Sequence, residues 1–337
     1  AARVTGVGDV AGGILRNLSV AGVLRVTPTM VTGDDLRLTS DKLTARINLS
    51  LDLRTGRYDV AINGALGRYL IPGIGIVDVT SRLHVVPGPG GKGSRVIGQG
   101  SAQVVRLDNR FFRGLAGGLP RITANLERAP DGILYFTDLR LTAPAITLTG
   151  KGFRRRDGSF HLDGAGRQAS YGPFTLMLDG RIERPTIDLV LASPNATLGL
   201  QVVRVHLDPT AAGFGFQAAG QSRLGPFTAA GSILLPRGPG ASIVVDRIDV
   251  AGTRAGGTLA IVTGGFDGRL AVAGGGVSGE LLFRPVGTIQ RIEAHLDARG
   301  ATMAGTTLRL GHLDLVTLLD PAGTTIDATA SGQGLRR

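Results

Sequence analysis

The sequence predicts an all-β protein: a long, curled, antiparallel-rich sheet folded into an elongated, β-taco-like trough with an apolar interior and one short helix. Three observations carry that expectation. Between Ile133 and Ile182 the chain is written almost wholly in a two-residue period, the spacing that sends alternate side chains to opposite faces of a strand. Glycine is abundant, with 53 residues, while bulky core-filling residues are scarce: 11 Phe, 4 Tyr, 3 Met and no Trp. Turn signals such as Arg156-Asp157-Gly158-Ser159 and Tyr171-Gly172-Pro173 cut the alternating runs into strand lengths.

The central stretch shows the pattern best. In Ile146-Thr147-Leu148-Thr149-Gly150-Lys151-Gly152 the apolar or small residues take the even positions, and Phe153 breaks the count. Phe160-His161-Leu162-Asp163 and Phe174-Thr175-Leu176-Met177-Leu178 alternate in the same sense. If successive strands pair as hairpins, Ile146, Leu148, Phe160, Leu162, Phe174, Leu176 and Leu178 form one apolar surface backed by Thr, His, Asp and Arg. Val203, Val205 and Leu207 extend the candidate lining into the second half.

The same reading applies in chain order. Alternating strands begin by Ile14 and recur through Leu36–Thr39, Ala45–Leu53 and Tyr58–Gly64. Leu36-Arg37-Leu38-Thr39-Ser40 matches Leu139-Arg140-Leu141-Thr142-Ala143, and each is followed by strand, turn and strand, an irregular internal repeat. Its loose spacing favours successive hairpins over a β-helix with fixed rungs. Residues 87–94, rich in Pro and Gly, form a loop break inside one elongated repetitive domain spanning 1–337. One helix is expected at about 109–119. Asp108 or Asn109 would cap it, Phe111, Leu115 and Leu119 recur every fourth residue, and Pro120 stops it. Its expected place is on the apolar face of the sheet, with a membrane-surface helix as the alternative. At one strand per roughly 12 to 14 residues the chain holds about 25 strands, which stacked in sequence make a sheet on the order of 100 Å long. Open sheets of that length curl.

Composition excludes several functions. The formal net charge is +11, and of the 37 basic residues only Lys42, Lys92 and Lys151 are lysine. No basic stripe with interleaved aromatics accompanies that charge, so nucleic acid is not an expected partner. Cysteine is absent, which rules out disulfides and thiolate metal sites. No apolar run reaches the roughly 18 residues of a membrane span. The chain starts without Met and both ends read as cuts through a longer protein, so targeting information is expected outside this fragment.

Four of the five histidines lie in His-Leu-Asp tripeptides beginning at His161, His206, His295 and His312. On a strand the His and Asp share a face, a spacing that a metal or a proton relay could use, or that merely solvates a recurring strand end. Gly274-Gly275-Gly276-Val277-Ser278-Gly279 has the spacing of a dinucleotide fingerprint, but the strand-like residues after it point to a hairpin loop. Arg154-Arg155-Arg156 is a turn cluster that is either solvated or in contact with anionic headgroups. No catalytic constellation, cofactor site or metal site assembles, and a non-enzyme is expected.

Endless amphipathic strands, Gly-rich turns and stretches such as Leu139–Gly152, Tyr171–Leu176 and Leu318–Ile326 resemble the TamB family of Gram-negative bacteria, within the AsmA-like group. The resemblance covers the fragment as a pattern. It implies a periplasmic protein tethered to the inner membrane by a membrane anchor outside this fragment, whose apolar trough carries phospholipid acyl chains towards the outer membrane and supports its biogenesis, similar to bridge-type lipid transfer proteins. Two other readings stay open: a translocation and assembly factor that works with an outer-membrane barrel-assembly protein through sheet edges, and an extracellular β-solenoid.

Overall fold

The structure is a computed structural model that describes residues 17–71, 75–108, 110–181, 184–194, 199–236, 240–262, 265–287, 289–298, 309–320 and 323–333. It is all-β and antiparallel. The chain divides into two compact units, Ala1–Gln168 with Met177–Glu183, and Ala169–Leu176 with Arg184–Arg337.

The first unit begins with β1 (Ser19–Val26), β2 (Met30–Thr39), β3 (Leu43–Asp52), β4 (Tyr58–Ile71), β5 (Gly75–Pro87) and β6 (Ser94–Leu107). After α1 (Arg110–Ala116) come β7 (Arg121–Arg128), β8 (Leu134–Ala143), β9 (Ile146–Arg154) and β10 (Phe160–Gln168). Each strand pairs with the next, from β1 through β10. β11 (Gly172–Arg181) contributes its two halves to the two units.

The second unit continues the meander with β12 (Arg184–Leu191), β13 (Gln201–Thr210), β14 (Gly213–Ser222), β15 (Gly225–Leu234), β16 (Ser242–Val250) and β17 (Thr253–Val262). It ends with β18 (Gly265–Gly274), β19 (Val277–Val286), β20 (Ile289–Ala298), β21 (Arg309–Asp320) and β22 (Gly323–Gln333). Again every strand pairs with its successor.

Short connections explain the order. Antiparallel neighbours need only a tight turn, so a chain with a turn signal after each alternating run folds locally into hairpins. Residues 274–279 illustrate it: Gly274, which faces Thr253 on one side, pairs with Val277 on the other, with Gly275-Gly276 as the turn between them. The 87–94 segment is likewise a hairpin. Pro87 faces Ser94 in register and the Gly88 amide donates to the Gly93 carbonyl at 3.0 Å, so the pairing runs through this loop and the compact units divide elsewhere.

The helix is shorter than the four-residue apolar spacing predicts. It ends at Ala116 because Gly117 adopts a left-handed φ of 67° while its amide donates to the Arg113 carbonyl, a glycine stop three residues ahead of Pro120. Leu119 lies outside it and is exposed. Asn109 and the side chains of Phe111 and Phe112 lie outside the described residues. The helix sits at the strand ends: the Ala145 amide donates to Ala116, and the buried Gln168 side chain donates to the Leu115 carbonyl.

Bulges set the register locally. Asp35 and Asp138, which precede the two copies of Leu-Arg-Leu-Thr, both have left-handed φ angles, 50° and 47°. At each the register shifts, between Gly33 and Leu36 and between Phe136 and Leu139. Asparagines hold both: Asn48 accepts from the Asp35 amide, and Asn125 donates to the Asp138 carboxylate. The internal repeat is therefore a repeated bulge.

Candidate functional site: an apolar face and its polar reverse

The alternation and the register together align side chains into rungs that run across the strands. In the second unit one rung reads Ile187, Leu207, Phe216, Gly231, Val245, Gly257, Leu270, Leu281, Ala294, Leu315 and Ala328, from β12 to β22. The next reads Leu189, Val205, Ala218, Ala229, Ile248, Ala255, Val272, Gly279, Leu296, Leu313 and Ala330. Neither contains a polar side chain. Val245, Ala255, Leu259, Leu270 and Val272 are buried together at their centre, with Phe266 and Phe283 packed against them.

Curvature gathers these side chains. Strands two apart in a flat sheet are about 9.6 Å apart, yet β17 and β19, and β18 and β20, bring Cα atoms within 8 Å of each other. Glycine makes this possible. Gly279 has φ 147°, and a Cβ there would collide with the His295 carbonyl oxygen on β20. Small residues next to large ones, such as Gly257 beside Leu270 and Gly279 beside Leu296, let neighbouring strands approach while the large side chains fill the space over them.

The first unit repeats the arrangement. Leu36, Ile47, Ile62, Leu83, Gly98, Leu126, Phe136, Gly152 and Leu162 form an unbroken rung from β2 to β10. Leu43, Leu66, Val79, Ala102, Ile122, Leu141, Leu148 and Gly166 form another from β3 to β10. Between them runs a rung of small residues, Ala45, Gly64, Ser81, Gly100 and Ala124. Two apolar walls thus flank a low floor. The outer rung is interrupted, with Arg128 opposite Leu134 and Arg154 opposite Phe160, where the guanidinium lies 5.7 Å from the ring centre.

The sequence-predicted lining residues fall within this frame. Leu148 and Leu162 lie on the unbroken rungs of the first unit, Val205 and Leu207 on those of the second. Val203 faces Leu191 and is buried. Ile146 stands between Ala143 and Gln168, half-buried at the strand end. Phe160 packs against Phe136. Phe174 is buried, Leu176 and Leu178 are half-buried, and the first two belong to the second unit while Leu178 belongs to the first. Among the described residues, the extensive contacts between elements join strands that are consecutive in the chain, and α1 lies against β6 and the strand ends at Ala145 and Gln168. Among the described residues no second layer of protein lies over the apolar face within either unit.

The reverse face is ionic. All five histidines pair with aspartate there, and the His-Leu-Asp spacing alone conceals this because the closer partner usually comes from the neighbouring strand. His206 bonds Asp188 at 2.6 Å, His295 bonds Asp314 at 2.7 Å, His312 bonds Asp297 at 2.7 Å, His161 bonds Asp179 at 2.8 Å and His84 bonds Asp59 at 3.0 Å. The hydrogen bond to Asp188 raises the pKa of His206 above its ordinary value. Arg155, from the arginine turn, donates through both terminal nitrogens to Asp179 and lies 5.0 Å from the Phe153 ring centre. That hydrogen bond, with the one from His161, holds the Asp179 carboxyl below the usual carboxylate range. Phe153, which breaks the apolar count, faces Tyr135 and stacks on His161 on this side. Among the described residues no group of three His, Asp or Glu side chains is arranged to hold a metal ion, and no helix is long and apolar enough to cross a membrane.

One feature of the reverse face was not legible in the sequence. A hollow of about 1110 Å³ opens across β2 to β8. Its walls are two wet rungs, Arg37, Arg46, Asn63, Arg82, Gln99 and Asn125, and Thr39, Thr44, Ala65, Thr80, Ser101, Thr123 and Arg140. Leu38 and the small residues Ala45, Gly64, Ser81, Gly100 and Ala124 also line it, whereas Leu36, Leu43 and the other wall leucines do not. The signal was present in the repeated Leu-Arg-Leu-Thr, whose arginines stand at its two ends, but only the register brings them to one surface.

Comparison with known proteins returned nothing: no family model, no curated protein and no solved structure matches this chain.

Proposed function

We propose that this chain carries phospholipid acyl chains along its apolar face and serves lipid transport between membranes. The observation that supports the reading is the pair of rungs that cross from β12 to β22 without one polar side chain. A site built for one small molecule places a few polar groups to fix its orientation; these rungs offer none, so an occupant can slide. Leaving such a face in water would create an extensive aggregation surface. An acyl chain has no hydrogen bonds to lose there, and in the first unit the small-residue floor between two leucine-rich walls gives it a slot. Headgroups stay in water beyond the strand ends.

In the fuller reading the protein works in the periplasm, tethered to the inner membrane, and supplies the outer membrane. The resemblance to the TamB family is its basis. The experiment places a photo-crosslinking residue at Val205 or at Arg204, neighbours on opposite faces, in the intact protein in cells. Phospholipid adducts at Val205 and not at Arg204 support the conduit. Polypeptide adducts at Val205 without lipid would replace it by a strand-binding assembly role.

A further inference from the structure

We propose that the hollow on the reverse face of the first unit is a binding site for an acidic oligosaccharide. Arg37, Arg46, Arg82, Arg121 and Arg140 line it, and Asp138 is the one acidic residue of the lining. Asp35 partly neutralises two of the arginines, at 3.1 Å from Arg37 and 3.7 Å from Arg46. Arg82, Arg121 and Arg140 have no carboxylate within ion-pair distance among the described residues. In the first unit, Arg95, Arg106 and Arg155 are each paired with an acid. The hollow thus gathers three guanidiniums without an acid partner on one surface, and guanidinium forks suit phosphate, sulfate or carboxylate groups.

Size and spacing indicate an oligomer. The hollow exceeds the roughly 300 to 1,000 Å³ typical of single small-ligand pockets. Arg140 on β8 and Arg121 on β7 are one strand and one rung apart, about 8 Å, and Arg82 on β5 is three strands from β8, about 14 Å. One small anion cannot satisfy all three. Between the arginines lie hydroxyls and amides, among them Thr80, Thr123 and Asn63, which match a hydroxyl-bearing frame. No aromatic side chain lines the hollow, so stacked nucleobases have no platform. Besides the wet rungs, Leu38 and the small residues Ala45, Gly64, Ser81, Gly100 and Ala124 line the hollow; the inference rests on the arginines and stands without the lipid reading.

The test titrates the full chain with a fluorescent sulfated dextran hexamer at low and high salt. Binding should weaken with salt, and the triple variant R82Q/R121Q/R140Q should lose affinity by about tenfold or more. Circular dichroism checks that the variant retains its strands, which is expected because the three side chains make no ion pairs. R223Q/R247Q/R254Q, with the same change in net charge in the second unit, should bind as the parent does. Absence of binding, equal loss in both triple variants, or equal affinity for linear polyphosphate of matched charge would overturn the proposal. So would arginine-dependent binding to phosphatidylglycerol vesicles in preference to the hexamer.

Discussion

Leu270 on β18 stands opposite Gly257 on β17, and with 2% of its surface exposed it is the most enclosed side chain of the second unit's hydrophobic cluster. A leucine so enclosed in a single layer of strands depends on curvature: its cover comes from neighbours on the same face. Leu270→Ala removes that contact and leaves a void that neighbours on a curled sheet fill only in part. A loss of about 2–3 kcal/mol is expected, towards the lower end of such substitutions, measurable by urea denaturation.

The close approach at Gly279 should be less forgiving. Gly279→Val must reconcile a φ of 147° with a branched side chain and clear the His295 carbonyl. The expected result is local loss of the β19–β20 ladder, seen as faster amide exchange from Val277 to Ala298, with the first unit unchanged. Unaltered exchange there would mean that the glycine is dispensable for curvature.

Face specificity provides a test of the acyl-chain reading in solution. Leu281 lies on the unbroken rung, whereas Leu282 points to the reverse face between Arg269 and Glu293. Leu281→Asp should reduce binding of a fluorescent fatty acyl probe by about tenfold or more, because it places a charge where acyl carbon would lie. Leu282→Asp should leave probe binding close to that of the parent. Equal effects from both would remove the face dependence on which the proposal rests.

The β20–β21 pairing should depend on pH at both ends. Hydrogen bonds to Asp314 and to Asp297 raise the pKa values of His295 and His312 above 6.5, and the two imidazoles hold the Asp314 carboxyl below 3.8. A raised histidine contributes stability that is fully present below its unfolded value and is lost as pH rises through the folded one. A lowered aspartate contributes stability present above its unfolded value and lost as pH falls through the folded one. Protection of the β20–β21 amides, corrected for intrinsic exchange, should therefore peak between about pH 4 and 6.5 and decline on either side. Replacing both histidines by glutamine should remove the decline above pH 6.5.

Much of the fold follows from the chain alone. A two-residue period does not depend on distant contacts, so the apolar positions Leu148, Leu162, Val205 and Leu207 and the turns between their strands could be assigned from spacing. The helix illustrates where local signals compete: the four-residue recurrence pointed to Leu119, but a left-handed Gly117 ended the helix first.

What only the tertiary structure decided is how strands meet. Register turned scattered leucines into unbroken rungs, because a cross-strand partner is fixed by bulges at Asp35 and Asp138 as well as by turn length. It paired His295 with Asp314, 19 residues away, where the sequence offered Asp297 two residues away. It also carried Arg37, Arg82 and Arg140 to one hollow. Side-chain direction is a property of the individual strand and is written in its sequence; adjacency across strands is a property of the sheet, set by hydrogen-bonded register and curvature that no single strand contains.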